Sequence, residues 1–337
     1  MDHKQITDRG TAVMKVFITR PIPEVGIQVL ESALGAANIV IAPQDGPLER
    51  RILLDNIRGV SGIMSMLSDR MDAEVMDVAG PQLKVIANFA VGYDNIDIAV
   101  AKERHVHATN TPGVLTEATA DLAWTLIMCA ARRAGEGERF LRNRLWQGWG
   151  PQQLLGVEIH GQTLGIFGMG RIGQAVARRA RGFDMKVIYH DAQPLDREKE
   201  ASLNANLVTK EELLHNADVL SIHCPLTPET RHAFTLNEFR AMKPTAIVVN
   251  TARGPVIKED DLCIALQQKI IFAAGLDVYE HEPKVDEALL NEERVVLLPH
   301  LGSATIETRN AMARTAAENI IAALTGHNPP NCLSCCQ

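Results

Sequence analysis

From Lys15 onward, short β-branched runs recur with amphipathic stretches between them, at residues 15–19, 38–41, 62–67, 84–89 and 105–109. This alternation predicts the strands of a parallel sheet joined by crossover helices. After the turn signal Thr111-Pro112-Gly113, the apolar residues Leu122, Leu126, Ile127 and Ala130 repeat at helical spacing. They predict one long helix reaching toward Arg144, weakest at Gly135 and Gly137 and serving as a connector between domains. A second series begins at Thr163 and predicts further strands at 186–189, 219–222, 246–250, 273–278 and 295–298. The last helical stretch, 304–324, is closed by Gly326 and is placed to cross back to the first domain. The pattern as a whole predicts an α/β fold with two parallel-sheet units in tandem.

A chain of 337 residues with 46% apolar content can fill two cores of ordinary size. A formal net charge of -7 and no long Lys/Arg run argue against nucleic acid or an anionic membrane as the main partner, leaving a small molecule. No apolar run reaches membrane-span length, and the polar start at 1–11 has no secretory core, so a cytoplasmic location is expected. Residues 1–13 read as a flexible extension. Six cysteines in a chain this long, three of them scattered at Cys129, Cys224 and Cys263, do not suggest a disulfide framework, which fits a reducing compartment. Cys332, Cys335 and Cys336 crowd the end, with one CxxC and no second pair at zinc-finger spacing. The expectation is therefore a flexible end over 334–337 and no metal site.

The most informative segment is Gly165-Ile166-Phe167-Gly168-Met169-Gly170-Arg171-Ile172-Gly173, where a strand runs through a glycine turn into a helical pattern. Gly168 allows the tight turn, Gly170 lets a pyrophosphate approach the backbone, and Gly173 lets helix and strand pack closely. Glycines serve turns in many proteins, so the motif alone says little. Asp191, at the end of the following strand, supplies the carboxylate that accepts from ribose hydroxyls. The same charge repels a ribose 2′-phosphate and no Arg follows it directly, so NAD is expected and NADP disfavoured.

If the cofactor exchanges hydride with a carbonyl compound that also carries a carboxylate, the site needs a cation for the carboxylate, an acid for the carbonyl oxygen and a group that keeps that acid charged. Arg253 follows the strand 246–250, His300 follows 295–298, and Glu282 lies beyond 273–278, all at strand ends where open α/β sheets bind ligands. Arg253 can grip a carboxylate through two parallel hydrogen bonds, and Glu282 can favour the imidazolium form of His300. His281, beside Glu282, is the competing histidine; His300 is preferred because it follows a strongly apolar strand.

Together these residues resemble the D-isomer-specific 2-hydroxyacid dehydrogenases, and within them the glyoxylate and hydroxypyruvate reductases. The resemblance runs from Met14 to about Leu333 and includes Val91-Gly92-Tyr93-Asp94-Asn95-Ile96-Asp97, Gly168 to Gly173, Asn250-Thr251-Ala252-Arg253-Gly254, Gly275-Leu276-Asp277-Val278, Glu282-Pro283 and Pro299-His300-Leu301-Gly302-Ser303. It implies two Rossmann-like or flavodoxin-like domains with the active-site cleft between them: 14–113 with 304–333 for substrate, and 114–303 for NAD. It implies Arg253, Glu282 and His300 as the catalytic set, with His300 the proton donor. It further implies that Leu67, Val91 and Gly92 meet the substrate. Around the cofactor it implies Thr119, Arg171, Ile172, Cys224, Pro225, Thr251, Ala252, Arg253, Asp277, His300 and Gly302. A homodimer is implied too, with Trp149 of the neighbouring subunit reaching the substrate.

Two other readings share this pattern. One is oxidation of D-3-phosphoglycerate, against which stands the lack of an added regulatory domain. The other is an NAD-sensing co-regulator without turnover, against which stands the intact Arg253, Glu282 and His300 set.

Overall fold

The structure, a computed structural model, describes residues 14–335. The expected extension at 1–13 and the last two positions of the expected flexible end lie outside them. The chain divides into two units, one running up to Val114 and resuming at Ile306, the other running from Leu115 to Thr305.

The first unit is built on β1 (Val16–Ile18), β2 (Ile39–Ile41), β3 (Gly62–Ser65), β4 (Val85–Asn88) and β5 (His107–Thr109). All pair in parallel, in the order β2-β1-β3-β4-β5. Every residue of β1, β3 and β4 is buried, as expected where helices cover both faces of a parallel sheet. The helix Ile306–Leu324 packs on β3, β4 and the helix Glu24–Leu34, so the late segment completes this unit's core.

At the edge, β5 does not end the pairing. Thr109 bridges Cys332 antiparallel, Leu333 N donates to Ala108 O at 2.7 Å, and Ser334 Oγ accepts from Ala108 N and donates to Val106 O. The expectation of a flexible end is therefore corrected for Ser334 and Cys335: the unpaired backbone of an edge strand gives this polar segment its partners. Cys332 and Cys335 are joined by a disulfide, which corrects the expectation of none.

The second unit holds β6 (Thr163–Phe167), β7 (Lys186–His190), β8 (Ala205–Leu207), β9 (Val219–Ile222), β10 (Ile247–Asn250), β11 (Ala273–Leu276) and β12 (Val295–Leu297). They form one parallel sheet in the order β12-β11-β10-β9-β6-β7-β8. β6 lies between β7 and β9, so successive connections leave it in opposite directions and open a crevice at the carboxyl ends of β6 and β9.

The predicted long connector is two helices, Thr116–Ala131 and Ala134–Arg142. The first buries Ala123, Leu126 and Ile127 and packs on β10 and β11, so it is a wall of the second unit rather than a connector. It stops before Gly135 because Val157 N takes the Ala131 carbonyl at 2.9 Å and Arg133 turns to φ 51. A contact from elsewhere in the unit, not a glycine, sets that break.

Candidate active site

In the second unit the sequence-predicted residues sit at or beyond the carboxyl ends of the strands. Gly168 follows β6, Asp191 follows β7, and Cys224 and Pro225 follow β9. Thr251, Ala252 and Arg253 follow β10, Asp277 follows β11, and His300 and Gly302 lie beyond β12.

Gly168 has φ +98, and a Cβ there would sit 2.5 Å from Cys224 N, so no other residue fits the turn. A Cβ on Gly173 would reach Gly168 O at 2.3 Å, whereas one on Gly170 would meet nothing within 4 Å. Gly170 thus presents bare backbone at the start of the helix Arg171–Ala180, whose first amides lack helical partners and favour an anion. Arg171 is exposed and Ile172 half-buried beside it. The Asp191 carboxylate accepts from Met169 N at 2.5 Å and from Gln193 N at 2.8 Å, which fastens it over the glycine turn. Each oxygen makes one of those bonds and retains capacity for a ribose hydroxyl. An open helix start beside an ordered carboxylate fits a dinucleotide. Cys224 is buried, which pushes its thiol up to about 12 and leaves it unreactive.

The Asn250 side chain accepts from Ala252 N at 3.0 Å and donates to Arg253 O at 2.9 Å, shaping the turn that presents Arg253. The Arg253 guanidinium donates back to Ala252 O at 2.8 Å through Nη1. Immediately after it, a Cβ on Gly254 would lie 1.8 Å from the Tyr279 carbonyl carbon. The backbone of the Arg253 turn therefore rests directly on the loop that carries Glu282.

That loop is held at Glu280, whose amide donates to the Glu259 carboxylate and whose Oε1 meets His232 Nε2 at 2.5 Å. Glu282 accepts from Tyr279 N at 3.0 Å through Oε1 and meets His300 Nδ1 at 2.9 Å through Oε2. Burial pushes the Glu282 carboxyl up, but the His300 hydrogen bond and charge, the Tyr279 amide and Arg253 together bring it below the ordinary carboxylate value. An ionised carboxylate can only accept, so Nδ1 of His300 carries a proton and Nε2 is left for exchange.

His300 has φ 56, a left-handed backbone state uncommon among residues other than glycine. It is bracketed by Asp277: His300 N donates to Asp277 O at 3.0 Å, while Leu301 N and Gly302 N donate to the Asp277 carboxylate at 2.6 and 2.8 Å. Thr119 Oγ1 closes the turn by donating to Gly302 O at 3.0 Å. Burial pushes the Asp277 carboxyl up, and these amides and His300 offset it only in part, leaving it raised. His281 is exposed and its backbone bridges Lys284.

In the first unit Leu67 follows β3 and Val91 and Gly92 follow β4, all half-buried. Sequence reasoning missed what holds them. Asn88 Nδ2 donates to Gly92 O at 2.8 Å, Asn110 Nδ2 donates to Val91 O at 2.8 Å, and Asn95 Nδ2 donates to both Met66 O and Asp69 O at 3.0 Å. These asparagines stitch the two loops together; the only signal for them was amide side chains at strand ends and in a tight loop. Trp149, in the second unit, is 84% exposed.

A glycine turn at a topological switch point, a fastened carboxylate, and a histidine–glutamate pair near an arginine define a dinucleotide-dependent oxidoreductase. The family profile described as D-isomer specific 2-hydroxyacid dehydrogenase, NAD binding domain, matches residues 124–302. A glyoxylate reductase of Thermococcus kodakarensis is 46% identical over 320 residues, covering 94% of this chain and 95% of its own. The crystal structure of a glyoxylate reductase from Paecilomyes thermophila superposes with TM-score 0.85 at 33% identity, covering 96% of this chain and 99% of that one. An NADPH-dependent glyoxylate/hydroxypyruvate reductase from Sinorhizobium meliloti, solved with NADP and malonate, gives TM-score 0.84 at 32% identity over 96% of this chain and 97% of that one. The chain belongs to the D-isomer specific 2-hydroxyacid dehydrogenases, enzymes that use a nicotinamide cofactor. The reading as a co-regulator without turnover is not favoured.

Proposed function

We propose that this enzyme reduces a short 2-oxo acid, glyoxylate or hydroxypyruvate, to the D-2-hydroxy acid with NADH. The observation that carries the reading is the 2.9 Å pair of His300 Nδ1 and Glu282, beside the Arg253 turn. The hydride is what a reduced nicotinamide supplies when bound. Arg253 pairs its planar guanidinium with the substrate carboxylate. His300 Nε2 gives a proton to the carbonyl oxygen as negative charge develops there, and Glu282 stabilises the imidazolium that does so. The amides near Val91 and Gly92 and the side chain of Leu67 are assigned to the substrate. Gly168, Gly170, Arg171, Ile172 and Gly173 are assigned to the pyrophosphate. Asp191 supports NAD over NADP, although the Sinorhizobium relative uses NADP.

We assign residues 14–113 with 304–333 to the substrate and 114–303 to NAD. A homodimer in the cytoplasm is part of the same proposal. Its support is the segment in which Leu141, Leu145, Trp146, Trp149 and Leu155 are all more than half exposed, an apolar run that a second copy would cover. Among the described residues no helix is long and apolar enough to cross a membrane.

Oxidation of NADH and NADPH across a panel of 2-oxo acids tests the substrate and cofactor together. Glyoxylate and hydroxypyruvate with NADH should give the highest kcat/KM. Phenylpyruvate or 3-phosphohydroxypyruvate as the best substrate, or NADPH as the better reductant, overturns the corresponding part.

Glu282→Gln tests the pairing. The Glu282 carboxyl lies below its ordinary value, so its negative charge is in place at neutral pH and is lost only as pH falls through the lowered value. Removing that charge takes away support for the proton-donating ring. The alkaline limb of kcat/KM for reduction should move to lower pH; an unmoved limb means Glu282 does not tune the acid.

A further inference from the structure

We propose that His107, Cys332 and Cys335 form a site for one thiophilic divalent cation, zinc, once the Cys332–Cys335 disulfide is reduced. The site lies where the tail pairs along β5 at the edge of the first unit's sheet and has no part in the hydride chemistry. Nδ1 of His107 is 3.3 Å from Cys335 Sγ and 3.6 Å from Cys332 Sγ, and the three ligand atoms lie within 4.8 Å of one another. A tetrahedral zinc with Zn–S near 2.3 Å and Zn–N near 2.0 Å needs N···S edges of about 3.6 Å and an S···S edge of about 3.8 Å. Both N···S edges are close to that, and opening the disulfide lets the sulfurs part.

The ligands are also held from both sides. His107 belongs to β5, and the tail is fixed to that strand by the Leu333 amide and the Ser334 hydroxyl between the two cysteines. Cys335 N donates to Cys332 Sγ at 3.0 Å, a bond that becomes stronger when the sulfur is a thiolate. His107, Cys332 and Cys335 are each partly exposed, so a cation can enter and water can take the fourth position.

The chemistry balances. A dithiol reductant gives two electrons and two protons to the Cys332–Cys335 bond and leaves as its own cyclic disulfide. Each new thiol then loses its proton to solvent as zinc binds, so two protons are released per metal. A reducing environment, which keeps thiols free, is the one in which the site forms.

The test uses the untagged full chain, reduced, stripped with a chelator and titrated anaerobically with cobalt(II), then zinc(II). One equivalent of cobalt should give a thiolate charge-transfer band and the intense visible bands of a tetrahedral site, and one equivalent of zinc should remove them. The unreduced protein should show neither. Cys332→Ser and Cys335→Ser should lose the bands, Cys129→Ser should keep them, and His107→Ala should weaken zinc by more than the roughly tenfold to hundredfold that loss of an outer-shell partner costs. X-ray absorption on the zinc-loaded, unsubstituted protein should count two sulfurs and one imidazole, an answer independent of whether any variant folds. No band after reduction, a band in the oxidised protein, a band surviving Cys332→Ser, or any other sulfur count overturns the site.

Discussion

His300→Gln is expected to cut kcat for glyoxylate reduction by about two to four powers of ten, the usual scale of general acid catalysis. The amide side chain is similar in reach but cannot give up a proton as the alkoxide forms. NADH should still bind, because the glycine turn and Asp191 are held by hydrogen bonds that do not involve His300. Stopped-flow turnover and NADH fluorescence titration on the same preparation separate the two effects. A kcat within tenfold of the parent would remove His300 as the acid, and a larger loss in His281→Gln would show that the wrong histidine was chosen.

Gly254→Ala should be the most damaging small substitution in the second unit. Its Cβ would fall 1.8 Å from Tyr279 C, 1.9 Å from Tyr279 O and 2.4 Å from Glu280 N, all backbone atoms that cannot rotate away. Either the Arg253 turn or the Glu282 loop must shift. Overpacking of this kind costs about 1–3 kcal/mol, or about 2–12 °C in Tm for a domain of this size. A misplacement of about 1 Å at a reacting group costs on the order of a hundredfold in rate, so kcat/KM should fall much further than stability alone explains. Gly170→Ala is the control for Tm, since its Cβ meets nothing within 4 Å. Parent-like Tm and kcat/KM in Gly254→Ala would mean that this crossing does not place Arg253.

How much was readable in advance depended on where each residue finds its partners. β9 matches the expected 219–222 at both ends because all four residues are buried and the polar Asp218 and His223 bound them. β8 was invisible: it is a three-residue edge strand with Asn206 and Leu207 exposed, so it carries no apolar signal. The helix break at Arg133 depends on Val157, and the ordering of Ser334 depends on β5, neither of which local sequence contains.

The same division runs through the site. Glycines that need a turn or a close approach announce themselves by type and spacing, and so does an acid one strand beyond them. Asn88, Asn95 and Asn250 do not, because their work is to bridge backbone groups that only the fold brings near. Asp277 was expected around the cofactor, but that its carboxylate also gathers the amides of Leu301 and Gly302 is visible only in the fold. A residue type names the chemistry available, and the fold decides where it is used.

The order of the segments along the chain governs how the protein can be made. The dinucleotide-binding unit is one continuous stretch and can close as soon as it has left the ribosome. The other unit cannot, because the helix that buries Ala313, Ala316, Ala317 and Ile320 and packs on its sheet and on the helix Glu24–Leu34 is translated after the whole inserted unit. Through that interval the earlier sheet carries an apolar face without its cover, a surface open to aggregation. Ending the chain at Thr305 would reproduce that nascent state, sparing one fold and depriving the other of its cover.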